Sequence, residues 1–234
     1  MTKLPFTAMK PFALSLSKGV RLLLACLLLA AAPGAALGAN SGAAAGPSAA
    51  TAGSAALFSS LERTAAGVTT LSSDFVQEKH LSMFKTVLSS KGHFYFSKPD
   101  RLRWELTAPV ASGFVLRGEK GRRWHERTGR TENFQISQEP VMKLVSDQLF
   151  AWARADFGWL KREYRISVLS EAPAALRLEP RSAATAGFLH HLLINFSADG
   201  RYVKSVEVHE NDGDFTRIKF LNTAVNKKLS ADLF

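Results

Sequence analysis

Residues 92–106 read Gly92-His93-Phe94-Tyr95-Phe96-Ser97-Lys98-Pro99-Asp100-Arg101-Leu102-Arg103-Trp104-Glu105-Leu106. Side chains alternate across a strand, so Phe94 and Phe96 share one face, and Leu102, Trp104 and Leu106 share another. Arg101, Arg103 and Glu105 fall on the opposite side. Lys98-Pro99-Asp100 lies between the two runs. Proline fixes one dihedral and aspartate bonds its own backbone, which suits a tight reversal. The stretch is an antiparallel hairpin with one apolar face.

The same pattern extends outward. Upstream, Leu57, Leu61 and Ala65 recur at helical spacing, so a short amphipathic helix opens the domain near Leu57. Phe75 to Lys79 reads as a strand. Downstream, Gly113 to Arg117 and Arg122 to Arg127 flank Gly118-Glu119-Lys120-Gly121 as a hairpin. The alternation breaks between Glu139 and Asp156. Pro140 suits a first helical position, and Met142, Val145, Leu149 and Trp152 then lie on one helical face. Strands resume at Tyr164 to Leu169, Ala175 to Glu179 and Leu192 to Phe196. Asp199-Gly200 and Asp212-Gly213 turn the chain into Tyr202 to Glu210 and Phe215 to Leu221. Many short strands with glycine-containing turns indicate an antiparallel barrel or sandwich, and a helix embedded among them must cover an open end.

The chain has 234 residues, 46% hydrophobic and 21% charged, which is enough apolar material for one sizeable core. Residues 1–39 read as a secretory signal. A basic start with Lys3, Lys10, Lys18 and Arg21 precedes the apolar run to Ala32, and small residues follow up to Ala39. The uninterrupted run from Leu22 to Ala32 is short for a membrane span, the alternative being an uncleaved anchor. Cys26 is the one cysteine, and Leu23-Leu24-Ala25-Cys26 fits a lipidation motif only loosely. Removal of the signal leaves a domain without thiols, suited to an oxidising compartment. Residues 40–56 are almost all Ala, Gly, Ser and Thr and read as a flexible linker.

The formal charge is +10, of which about +6 remains after those four N-terminal bases are set aside. No run of five like charges speaks for nucleic acid. Arg101, Arg103, Arg122 and Arg123 form a basic cluster, ordinarily a solvated strand face and otherwise a docking surface for an acidic partner or lipid headgroups. His190-His191 is the obvious metal candidate, but neighbouring strand residues point to opposite faces and so do not share an ion. No nucleophile elbow, phosphate loop or dinucleotide glycine pattern is present, so the expectation is a protein that is not an enzyme and needs no metal or cofactor.

The run from Gly92 to Glu105, with Pro109 beyond it, resembles the LolA family, the periplasmic lipoprotein carriers of Gram-negative bacteria. Phe75-Val76-Gln77-Glu78-Lys79, Asn222 with Asn226, and Leu229 to Phe234 are similar to the family's early strand and late segment. The resemblance spans 57–234. It implies a mainly β fold, an incomplete antiparallel barrel covered by a helical lid. It implies an apolar cavity that takes acyl chains of lipoproteins, or another lipid-like cargo, from an inner-membrane transporter to an outer-membrane receptor. The chain would act in the periplasm as a monomer. Cavity residues would be Phe94, Phe96, Leu102, Trp104, Phe114 and Leu116, and lid residues Met142, Val145, Leu149 and Trp152. Lys98 stands where the best-known carriers have a lid-latching arginine, and lysine lacks the planar five-donor fork. The chain also ends sooner than classical carriers. Such a divergent relative has one alternative reading, a non-catalytic envelope sensor or assembly module that binds a protein through the same half-barrel.

Overall fold

The structure, a computed structural model, describes residues 49–83 and 87–234, with side chains from Ser54 onward. The segment read as a secretory signal lies outside these residues. The first described element, α1 (Ala49–Ala66), starts well before Leu57 and takes in part of the stretch read as a linker. Its last turns bury Phe58, Leu61 and Ala65.

Eleven antiparallel strands form one sheet. The first six run as a meander: β1 (Thr70–His80), β2 (Val87–Ser97), β3 (Arg101–Ala108), β4 (Ser112–Arg117), β5 (Lys120–His125) and β6 (Arg130–Gln135). The chain then makes α2 (Pro140–Arg154) and α3 (Phe157–Glu163). It returns through β7 (Tyr164–Glu171), β8 (Ala174–Pro180), the short α4 (Ala183–Ala186), β9 (Leu189–Phe196), β10 (Val203–Glu210) and β11 (Phe215–Val225). β11 pairs with β1, so the second run joins the first at its beginning. β6 and β7 are therefore the two free edges of the sheet. They follow each other in sequence but stand at opposite margins, so α2 and α3 must cross the open side. Topology alone makes them the cover.

Strict alternation sets the inner face. β1 and β3 bury every second residue, and in β3 these are Leu102, Trp104 and Leu106. Gly92 is opposite Phe75 in the register. A Cβ there would lie 2.6 Å from the Phe75 ring, which occupies that space and leans on Trp104 with centroids 4.3 Å apart. The sheet bends at the β1–β11 seam, where Ser72 pairs with Ala224 but Asp74 with Leu221. This bulge is built on Asn222 in the left-handed region (φ 53), and bulges bend strands and re-aim side chains. Asn222 donates to the Asp74 carboxylate at 2.9 Å. Asn226, also left-handed (φ 58), accepts from the Thr69 amide at 2.7 Å and donates to the Gly67 carbonyl at 2.9 Å. The two asparagines thus close the seam and tie the end of β11 to the α1–β1 connection.

Candidate functional site

The inner face of β2, β3 and β4 carries two cross-strand rows. Phe94, Trp104 and Phe114 are direct partners in one row, and Phe96, Leu102 and Leu116 in the next. All six are buried, and Phe96, Leu102 and Leu116 are 0% exposed. The rings of Phe75, Phe94 and Phe220 surround Trp104 at centroid distances of 4.3, 5.9 and 6.1 Å.

α2 presents Met142, Val145, Leu149 and Trp152 to this face, all buried. Pro140 occupies the first turn, and Ala155 in the left-handed region ends the helix. Between α2 and the sheet lies a hollow of about 30 Å³ lined by Leu71, Phe94, Leu149, Trp152, Tyr202 and Phe220, among others. A second hollow of about 20 Å³ lies on the other side of Trp152, against Gln148, Tyr164, Phe188 and Leu192. Trp152 is the partition between them. Each has room for one or two waters. Of the ten residues expected to line a cavity, Phe94, Leu149 and Trp152 reach the larger hollow. The others fill the core around it. Tyr202 and Phe220 were not anticipated, although Phe220 falls on the inward parity of a strand that the sequence marks.

α2 has few polar fastenings, and they differ from expectation. Lys98 donates no hydrogen bond to it. Its ammonium donates to the carbonyls of Ala65 and Ala66 at 3.2 and 2.8 Å, at the end of α1. The contact between α2 and the β2–β3 turn is made by the Arg154 guanidinium, which donates to the Pro99 carbonyl. At the other end, Arg123 donates to Glu139, the residue preceding α2, at 2.6 Å and to Glu132 at 2.9 Å. In the middle, the buried Tyr164 hydroxyl donates to Gln148 Oε1 at 2.6 Å. Burial pushes the Tyr164 phenol above its ordinary range. The side-chain N–H groups of Trp104, Trp152 and Gln148 Nε2 are buried without a hydrogen-bond partner.

The basic cluster is divided. Arg123 pairs with inward-facing Phe114 and so lies on the inner side, whereas Arg122 pairs with Val115 and faces out. In a regular strand, adjacent residues point to opposite faces. Arg103 on the outer face forms an ion pair with Glu105, lies 4.8 Å over the Trp124 ring and donates to the Leu233 carbonyl at 3.2 Å. Arg117 reaches the Phe234 carbonyl at 3.1 Å, and Arg101 lies 6.0 Å over the Phe234 ring. The final residues of the chain thus lie over part of that outer face.

The two adjacent histidines show the opposite outcome. Their strand has a bulge: His191 pairs with His209 and Leu189 with Glu210, leaving His190 unpaired. Both rings come together, with Nδ1 atoms 2.7 Å apart. His191 stacks on His209 at 4.3 Å, which neighbours Phe215, and Phe215 in turn stacks on His80. Burial, then the charges of His209, Arg177 and His190, lower the His191 pKa to about 4. Among the described residues no three metal-ligating side chains converge.

The family model described as outer membrane lipoprotein carrier protein LolA matches residues 66–234. Among solved structures, the chain is similar to a LolA superfamily protein from Nitrosomonas europaea, with 8% identity over 77% of this chain and 96% of that one and a TM-score of 0.42. It is similar to a chain of the Pseudomonas aeruginosa MucA/MucB complex, with 14% identity over 78% of this chain and 60% of that one and a TM-score of 0.37. It is also similar to the Mycobacterium tuberculosis lipoprotein LppX, with 10% identity over 76% of this chain and 99% of that one and a TM-score of 0.42. No curated protein matches it.

Proposed function

The chain belongs to the LolA family of outer membrane lipoprotein carrier proteins, and from that premise we propose that it binds the acyl chains of a lipoprotein or related lipidated cargo. It shelters them between α2 and the sheet and carries them from a donor transporter in the inner membrane to an acceptor at the outer membrane. It works in the periplasm, to which the N-terminal sequence would direct it, and it works by binding rather than by catalysis.

One observation carries this reading: an apolar sheet face left unclosed at its edges and covered by a helix with few polar fastenings. Burying an acyl chain there is worth roughly 0.8 kcal/mol per methylene. The arrangement described is the closed one, because hollows of about 30 and 20 Å³ hold no acyl chain. Uptake requires α2 to move off the sheet so that the hollows on both sides of Trp152 merge. Exposing the buried faces of α2 and the sheet costs free energy that cargo burial offsets. An empty carrier that closes tightly gives up its cargo more readily than one with a permanent cavity.

The smallness of the same hollows favours a second reading. A half-barrel filled by its own side chains could serve as a module that binds a protein partner, with the free edges β6 and β7 available for strand addition. Mass spectrometry of lipids extracted from the protein isolated from its native envelope separates the two. The carrier reading expects an acylated molecule in near-stoichiometric amount, or stoichiometric uptake of an acyl probe by the empty protein. Absence of both rejects it and leaves the partner-binding module.

A further inference from the structure

Lys98 and Arg154 are two cations brought together at one corner of the cover. Lys98 follows β2 and Arg154 ends α2, and both are only partly exposed. Among the described residues neither forms an ion pair with a carboxylate. Each spends its donors on backbone carbonyls: Lys98 on Ala65 and Ala66, Arg154 on Pro99. Burial first, and then the Arg154 charge, lower the pKa of Lys98, so the two cations lie near enough to repel each other. Arg154 also lies 4.7 Å over the Phe150 ring, which packs against Phe96. Ala153, the residue before Arg154, lines the larger hollow. An apolar hollow thus reaches the residue next to Arg154 on α2, and among the described residues the two cations have no counter-ion.

We propose that Lys98 and Arg154 form an anion-binding rim that receives the anionic headgroup of an amphiphile whose chain enters the hollow beside it. The inference rests on the carrier reading and deepens it by naming the headgroup class. A phosphate or carboxylate between the two side chains offers charged acceptors in place of neutral carbonyls, and an arginine can meet such an acceptor in bidentate fashion. The same exchange has a mechanical result. The Arg154–Pro99 bond holds α2 to the β2–β3 turn, and the Lys98 bonds hold α1 to it. An anion that takes these donors unfastens both helices from that turn. A ligand shifts a closed–open equilibrium only by its differential affinity for the two states. Here the difference comes from cations that are occupied by carbonyls when closed and free when open.

The test compares dodecyl phosphate with dodecyl maltoside, which share a chain and differ in headgroup charge. Binding to the full chain is followed by tryptophan fluorescence, in wild type and in Lys98→Gln/Arg154→Gln. Wild type is expected to bind dodecyl phosphate about tenfold more tightly than the maltoside, and the double variant to bind both within about twofold. A cooperative thermal melt of the double variant shows that it still folds. Equal binding of both amphiphiles by wild type overturns the rim, as does a phosphate preference that survives in the double variant. Inorganic phosphate is the third arm. Failure to compete at millimolar concentration supports a headgroup, and effective competition assigns the cations to soluble phosphate and overturns the headgroup site. Failure of wild type to bind either amphiphile, by contrast, rejects the carrier reading itself.

Discussion

Trp152 is the side chain on which the interior turns. It divides two hollows, is 7% exposed, and carries an indole N–H without a partner. Trp152→Ala would join the hollows into one larger cavity. We expect a loss of about 3 kcal/mol in stability, at the low end for such truncations because an unpaired buried donor is removed along with the apolar surface. Urea unfolding measures it, and a loss below about 1 kcal/mol would mean that the ring is not packed as described. Leu102→Glu bears on the core instead. Leu102 is 0% exposed, so a carboxylate there would cost several kcal/mol and unfold the domain before any question of cargo arose. Asn226 bends the chain at φ 58 and makes three hydrogen bonds to Gly67 and Thr69. Asn226→Gly keeps the backbone freedom and loses the bonds, so it should still lower stability by about 1–2 kcal/mol in the same measurement. Full stability in the glycine variant would assign the residue's role to its dihedral alone.

At the scale of elements, the histidine stack links β9, β10, β11 and β1 on the outer face. The fold holds His191 neutral, with a pKa of about 4 against an ordinary 6.5. Between those values the unfolded chain binds the proton and the folded chain does not. Stability is therefore complete above about pH 6.5 and falls as the pH drops toward 4, by at most about 3 kcal/mol from this group. His191 is faced by His209 on β10, by Arg177 and Glu179 on β8 and by His190 beside it. His191→Gln should flatten the decline in thermal melts between pH 7 and 5, and an equally steep decline would remove His191 as its source. The strands with one apolar face were legible because period-two alternation is a direct consequence of the pleat. β6 was not, since of Arg130–Gln135 only Phe134 is buried, and an edge strand need not alternate. α3 and α4 are too short to show a helical period. Two adjacent pairs show the limit of the alternation rule. It separates Arg122 from Arg123, yet a bulge that depends on pairing with β10 brings His190 and His191 together. Bulges belong to tertiary structure, and nothing local to Leu189–Phe196 announces one.

The whole molecule is a sheet that begins and ends in free edges, with the intervening helices crossing the gap. The sequence resemblance implied such a cover, and the break in alternation after Glu139 marked the helix that forms it. Which groups hold the cover could not be read, because Arg123–Glu139 and Arg154–Pro99 join residues 16 and 55 positions apart. Lys98, the expected latch, binds α1 instead. If these fastenings set how often α2 lifts, Arg123→Gln should raise hydrogen exchange across 140–154 while leaving β1 and β11 protected. Exchange that rises equally throughout would mean that the cover does not open as a unit.

The central claim is that an acyl chain enters between α2 and the sheet, and photo-crosslinking reports its position directly. A fatty acid with a diazirine near its methyl end is added to the full chain, irradiated, and the modified residues are mapped by mass spectrometry. The account predicts adducts on Leu149, Trp152, Phe94 and Phe220, which border the larger hollow and are covered in the closed state. Adducts confined to the outer face of the sheet, or to exposed residues such as Leu169, would contradict it.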